Sequence, residues 1–218
     1  NEGVFGEGIP MIGDIDDDGM PEIIVPSNMS GQKINIYTGE GVLKNRFSIT
    51  PYVAWQHIGI AKVQWTANTY KSIIVAYKNK YLYAYDASGT LLWTSNHQYE
   101  GHINETYPLP AISFADFNHD GWTEIYIGNE IYDAATGTFL CKATGNRGYA
   151  GRTWNTEATT YQTLAADLYG NEMLELAAGN AIFSVNIQSR TNPTENSVTR
   201  VRQIPTSAMK MEDGSSIP

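Results

Sequence analysis

Two stretches of the chain place oxygen-bearing side chains at alternate positions of a short loop. The first, GDIDDDGMPEIIV over residues 13–25, carries Asp14, Asp16 and Asp18 at positions 1, 3 and 5, then Gly19 at position 6 and Glu22 at position 9. The second, ADFNHDGWTEIYI over residues 115–127, holds Asp116, Asn118, Asp120, Gly121 and Glu124 at the same positions. Alternating donors on a tight loop converge on one centre, and the main-chain carbonyl of position 7 (Met20 or Trp122) adds a further oxygen. Hard oxygen ligands in this number favour calcium, since magnesium prefers a smaller octahedral site that keeps its waters. Asp and Gly also make ordinary turns. In the first loop, however, Asp14, Asp16, Asp17, Asp18 and Glu22 crowd into nine residues. Like charges ~5 Å apart repel by on the order of a few kcal/mol at an effective dielectric near 20, a cost that a bound cation offsets.

An EF-hand requires a bidentate Glu at position 12, where this chain has Val25 and Ile127. The acid here comes at position 9 and runs straight into an apolar stretch, so the site is strand–loop–strand. A weaker copy, ADLYGNEMLELAA over residues 166–178, keeps Asp167, Asn171 and Glu175 but has Tyr169 at position 3 and Glu172 in place of the glycine. It reads either as a metal loop or as a turn that retains only the shape. Around Lys62 the chain has the flanking strands without the acids, and the Lys62 ammonium is expected to stand in for the missing charge.

These loops sit in a repeat. Asp14, Asp116 and Asp167 lie 102 and 51 residues apart, with the acid-free copy at Lys62 between the first two. The unit is therefore about fifty residues, repeated four times. Gly41, Gly89 and Gly137 recur every 48 residues in hairpins of the form strand, Gly turn, strand, where glycine supplies the positive φ the turn needs. The fourth unit replaces this hairpin with a polar stretch from Asn186 to Asn196. Runs such as Ser72–Tyr77 and Glu124–Ile127 are rich in β-branched and aromatic residues and read as strands. Four short antiparallel strands per unit predict an all-β chain, a β-propeller of about four blades that either closes as a small propeller or is part of a larger one. The approximate blades are 1–50, 51–103, 104–157 and 158–210, with a tail at 211–218.

The net charge of −9 argues against a nucleic-acid partner. No apolar run approaches the ~18 residues a membrane helix needs, so membrane insertion is not expected. The first residue is Asn1 rather than Met, which suggests processing or a piece of something longer. Cys141 is the sole cysteine and reads as a buried strand thiol. His57, His97, His102, Lys62, Arg147, Arg152 and Tyr161 are the residues available for catalysis, and they form no motif.

Phe5-Gly6-Glu7-Gly8-Ile9-Pro10 followed by Gly13–Gly19 resembles the FG-GAP repeat of integrin α-subunit propellers and the related bacterial VCBS-type repeats. That resemblance implies a propeller of more blades than four, so that this chain is part of a larger propeller, with calcium in the loop between the first two strands of a blade, an exported or cell-surface protein, and adhesion or glycan binding more often than catalysis. Some bacterial polysaccharide lyases that cleave rhamnogalacturonan have a propeller with similar loops, which supplies the enzymatic alternative. For a glycan or protein ligand, the candidates are Arg147, Tyr149, Arg152 and Trp154, in a polar segment that interrupts the repeat.

Overall fold

The computed structural model describes residues 9–27, 33–49, 58–100, 111–143, 163–178 and 181–203. Within them the chain is all-β, apart from one 3₁₀ turn at Pro193–Glu195. The first sheet holds β1 (Met11–Gly13), β2 (Glu22–Ser27), β3 (Lys33–Tyr37) and β4 (Leu43–Ser48). The second holds β5 (Ile58–Thr66), β6 (Thr69–Lys78), β7 (Tyr81–Tyr85) and β8 (Leu91–Thr94). The third holds β9 (Ser113–Ala115), β10 (Glu124–Ile127), β11 (Glu130–Asp133) and β12 (Phe139–Lys142). The fourth holds β13 (Thr163–Ala166), β14 (Glu175–Ala178), β15 (Ala181–Asn186) and β16 (Ser197–Gln203).

Every strand lies antiparallel beside its neighbour in sequence, so each sheet is a four-strand meander. The first strands of successive sheets meet, β1 on β5, β5 on β9 and β9 on β13, and no contact of that extent joins the fourth sheet to the first among the described residues. The sheets are blades of a β-propeller, as the fifty-residue repeat predicts, and among the described residues they do not close into a ring.

The strands form because alternate residues find apolar partners on the next blade. Three buried clusters result, one in each gap between blades. Ile24 and Ile36 meet Ile74 and Tyr85; Val75 and Leu82 meet Ile125 and Tyr132; Tyr126 and Leu140 meet Leu176 and Phe183. Burying each such side chain fully stabilises by about 1.5–3 kcal/mol. Cys141 belongs to the third cluster, and burial pushes its thiol up to about 12. Trp93 packs in the second cluster and donates its indole N–H to the Ala134 carbonyl at 3.2 Å, a packing role.

The glycine hairpins carry a further device. Gly41, Gly89 and Gly137 have φ of +81°, +88° and +72°. Directly after each, the ladder slips by one residue, so that Lys44, Leu92 and Leu140 are the extra residues of three equivalent β-bulges. A bulge re-aims the side chain it carries. Leu140 is fully buried by this, whereas Lys44 is carried toward the first acidic loop.

Candidate metal centre

The three acidic loops share one hydrogen-bond frame. The position 1 carboxylate accepts the backbone N–H of position 6: Gly19 to Asp14 at 3.0 Å, Gly121 to Asp116 at 2.9 Å and Glu172 to Asp167 at 3.0 Å. The position 5 side chain accepts the N–H of position 7: Met20 to Asp18, Trp122 to Asp120 and Met173 to Asn171. The position 9 carboxylate, buried in all three, accepts the N–H of position 2: Ile15 to Glu22 at 3.1 Å, Phe117 to Glu124 at 3.0 Å and Leu168 to Glu175 at 2.9 Å. Such bonds satisfy loop amides that no strand pairs. They also leave the second oxygens of Asp18 and Glu22 free to face elsewhere.

In the first loop those oxygens face one point. Ligand atoms of Asp14, Asp16 and Asp18 lie within 4.8 Å of one another, the one such acidic group among the described residues. The Lys44 ammonium stands 2.7 Å from Asp16, 2.8 Å from Asp18 and 2.8 Å from the inward oxygen of Glu22. Asp14 Oδ1 is buried with no hydrogen-bond partner. The bonds that Lys44 donates to Asp16, Asp18 and Glu22 raise its pKa, and those that Asp18 accepts from Lys44, then from the Met20 amide, lower that of Asp18. An ammonium at the focus of three carboxylates, beside an orphaned carboxylate oxygen, marks a position suited to a cation. The hard-oxygen donor set fits a metal ion there.

The third blade's loop is arranged differently. Asp116 spends both oxygens on the amides of Asp120 and Gly121, and the Asn118 amide donates to Asp120 at 3.1 Å and to the Ile187 carbonyl of the fourth blade at 3.0 Å. Glu124 is fully buried, and its Oε1 has no partner. With only protein groups around it, desolvation, opposed by the Phe117 N–H and reinforced by the charges of Asp120, Asp116 and Asp133, pushes Glu124 up to about 8. Trp122 lies under the Arg190 guanidinium, 3.3 Å from ring centroid to Cζ, and Arg190 Nε pairs with the buried Asp133 at 2.5 Å.

The fourth loop keeps the backbone of the first. Two residues of each loop are left-handed: Asp17 and Gly19, His119 and Gly121, Gly170 and Glu172. The glycine absent from position 6 therefore reappears at position 4, and Glu172 takes the left-handed position at φ +64°. Burial raises the Asp167 pKa, but the N–H groups of Glu172, Asn171, Gly170 and Tyr169 outweigh it and hold the carboxyl low. The left-handed region costs a side-chain-bearing residue roughly 1–2 kcal/mol. Glu172→Gly is accordingly expected to stabilise by about 1 kcal/mol once the looser unfolded chain is counted. A urea midpoint that stays put or falls would show that the Glu172 side chain contributes something the loop needs.

The second blade has no acidic loop. β5 and β6 pair as far as Thr66 opposite Thr69, and Ile73, fully buried, takes the register position held by Glu22 and Glu124. Lys62 does meet an acid, but in the neighbouring loop: its ammonium lies 2.6 Å from Asp17, and Ser72 bonds the same carboxylate at 3.3 Å. Of the other residues considered for chemistry, His97 stacks on Phe139 at 4.0 Å with Nε2 3.6 Å from Glu100 and 3.7 Å from Glu130. His57, His102, Arg147, Tyr149, Arg152, Trp154 and Tyr161 lie outside the described residues. No helix among the described residues is long and apolar enough to cross a membrane.

With the blades and loops in view, the fold can be compared with known proteins. No family model matches the chain, and no curated protein does. Among solved structures it is similar to the V. cholerae biofilm matrix protein Bap1, at 22% identity and a TM-score of 0.51, over 86% of this chain and 25% of that one. It is similar also to the exotype rhamnogalacturonan lyase YesX, at 18% identity and a TM-score of 0.55, over 89% of this chain and 38% of that one. The likeness is one of fold. The chain spans about a quarter of the first protein's length and under two fifths of the second's.

Lys44 and Arg190 are the two site residues that sequence reasoning missed. Lys44 had a signal: the equivalent position in the next two hairpins holds Leu92 and Leu140, so a lysine there breaks the repeat. Arg190 had only its place in the polar stretch where the fourth unit departs from the others.

Proposed function

We propose that the chain is a calcium-stabilised extracellular propeller module of the FG-GAP type, secreted or at the cell surface, that presents a face for a glycan or protein ligand. The observation that carries this reading is the convergence of Asp16, Asp18 and Glu22, beside Asp14, on a position filled by an ammonium. In it, Asp14, Asp16, Asp18 and Glu22, with the Met20 carbonyl, hold one ion. Asp116, Asn118, Asp120 and Glu124, with the Trp122 carbonyl, hold a second. Asp167, Asn171 and Glu175 form the weakest of the three sets. Lys44 competes for the first position, so the affinity belongs in the range of extracellular calcium modules, with Kd of about 10⁻⁴–10⁻³ M. At 100 times Kd, one site stabilises by about 2.7 kcal/mol.

Calcium is therefore expected to raise the melting temperature relative to chelator, and Lys44→Met to tighten binding several-fold while lowering stability in chelator. A melting temperature indifferent to both calcium and chelator would sink the proposal. Ligand contact falls to Arg147, Tyr149, Arg152 and Trp154 in this reading; on a glycan array Trp154→Ala should lose signal, and undiminished binding would remove that assignment. The likeness to a rhamnogalacturonan lyase supports a second reading, a lyase propeller. Incubation with pectic polysaccharide, followed by the absorbance of unsaturated products, separates the two.

A further inference from the structure

Lys78 is the one buried cation among the described residues, at 6% exposure. The more exposed Lys44, Lys62, Lys142 and Arg190 each meet a carboxylate. Lys78 meets none and makes no hydrogen bond. Burial lowers its pKa, with no neighbouring charge or hydrogen bond to oppose the shift. Its ammonium lies 4.8 Å from the centroid of the Tyr83 ring. That contact engages one side of the group and leaves N–H donors unspent. A lysine is seldom buried this far without a counter-charge. The chain carries 23 acidic residues, and none of the described ones supplies it.

Strand register fixes what lies beside it. Ile74, Ala76 and Lys78 alternate along β6 on one face, and Ile74 and Ala76 join the cluster between the first two blades. Their partners on β7 are Tyr85, Tyr83 and Tyr81. Tyr81 and Tyr83 are half-buried, and the Tyr81 hydroxyl accepts the Gln98 amide at 3.0 Å. Directly beyond Lys78 the chain turns through Asn79 and Lys80, both exposed, with φ of +47° and +70°. The ammonium therefore sits just under the surface. Ser72, six residues back along β6, touches the first acidic loop. At 3.4 Å per residue that is ~20 Å, so Lys78 lies at the opposite end of the blades from the acids. Its gap is walled by the first and second blades, both of this chain, and blades added at either flank would not reach it.

We propose that Lys78, with Tyr81 and Gln98, binds an acidic sugar residue of a polysaccharide. The sugar's carboxylate or sulfate ester supplies the absent counter-charge. The Tyr81 ring offers the sugar ring an apolar surface, and Gln98 and the Tyr81 hydroxyl are placed to bond its hydroxyl groups. An unpaired, desolvated ammonium beside an aromatic ring is poised for such a ligand before it arrives, since no internal ion pair has to break. The inference shares a glycan ligand with the functional proposal, but it needs neither calcium nor Arg147, Tyr149, Arg152 and Trp154.

The test is calorimetric titration of the 218-residue chain, in chelator, with alginate oligomers, dextran sulfate, neutral dextran and polyglutamate. Alginate or dextran sulfate should bind, and the one that binds identifies the carboxylate or the sulfate ester. Neutral dextran and polyglutamate should bind at least tenfold more weakly. Lys78→Met should weaken the acidic polymer at least tenfold and Tyr81→Leu several-fold, while Trp154→Ala leaves it unchanged. Lys78→Met removes an unpaired buried charge, so its melting temperature should equal or exceed the parent's. Failure of both acidic polysaccharides to bind would overturn the inference, as would polyglutamate binding equally well. So would undiminished binding by Lys78→Met, or a lowered melting temperature, which would make the lysine a structural residue. Binding lost in Trp154→Ala and kept in Lys78→Met would uphold the earlier assignment against this one. A melting temperature indifferent to calcium would touch the functional proposal alone.

Discussion

In chelator, the difference in unfolding free energy between the parent chain and Glu124→Gln is expected to swing by on the order of 5 kcal/mol in favour of the variant between pH 4.5 and pH 8. Glu124 is fully buried and pushed up to about 8, against an ordinary value of 4.5. Across that window the folded parent holds a proton that the unfolded chain has released. Folding then binds protons, so the parent's stability falls as pH rises, and the loss is complete above about pH 8. Glutamine keeps an acceptor for the Phe117 N–H and removes the titration. Its buried amide costs about 1–3 kcal/mol for donors left unsatisfied, but that cost is the same at every pH and does not alter the swing. Urea unfolding of both chains at a series of pH values reads the effect directly. A difference that is flat with pH would mean that Glu124 is ionised in the folded chain throughout.

Calcium turns the same residue into a second test of the functional proposal. An ion held by Asp116, Asp120 and Glu124 would favour the charged carboxylate and flatten the parent's pH dependence. Glu124→Gln would lose that response at the third blade while keeping the one at the first. If calcium flattened neither profile, the third loop would be a hydrogen-bonded turn with a buried acid.

The acidic loops, the four units and the all-β architecture were legible because each depends on local periodicity. Alternating apolar residues fix which side chains enter a gap, and Gly41, Gly89 and Gly137 mark the same turn three times. What was not legible depends on register and on contacts between units. Glu172 reads in sequence as the loss of the loop glycine, because it stands at position 6, where the other two acidic loops have Gly19 and Gly121. The loop in fact needs two left-handed residues, and Gly170 supplies the other. Lys62 reads as a substitute ligand in its own unit, but β5 runs on as a strand there and points the ammonium at Asp17 next door. Lys44 enters the first loop only because a bulge adds one residue to β4, so its direction follows from strand register and not from the simple alternation of the strand.

Arg190→Ala is expected to destabilise the chain by about 3 kcal/mol, because it leaves the Asp133 charge buried without its ionic partner. Asp133 is 1% exposed. Its Oδ1 already accepts the amides of Ala135 and Thr136 and the Thr136 hydroxyl, so Oδ2 relies on Arg190. Lysine is a poor substitute, since only the planar guanidinium can pair with Asp133 and lie flat on Trp122 at once. The Asp133→Asn background distinguishes the causes. There the buried charge is gone, and Arg190→Ala should cost only the stacking contact, on the order of 1 kcal/mol. An equal cost in both backgrounds would show that the charge pair is not what matters. Arg190 belongs to the connection that replaces the fourth unit's glycine hairpin, while Trp122 is position 7 of the third blade's acidic loop. The residue thus clamps that loop from the next blade, as Lys62 and Ser72 do for the first. Loosening the clamp should therefore weaken any calcium response of the third blade more than that of the first, which links the joint between blades to the geometry of the site.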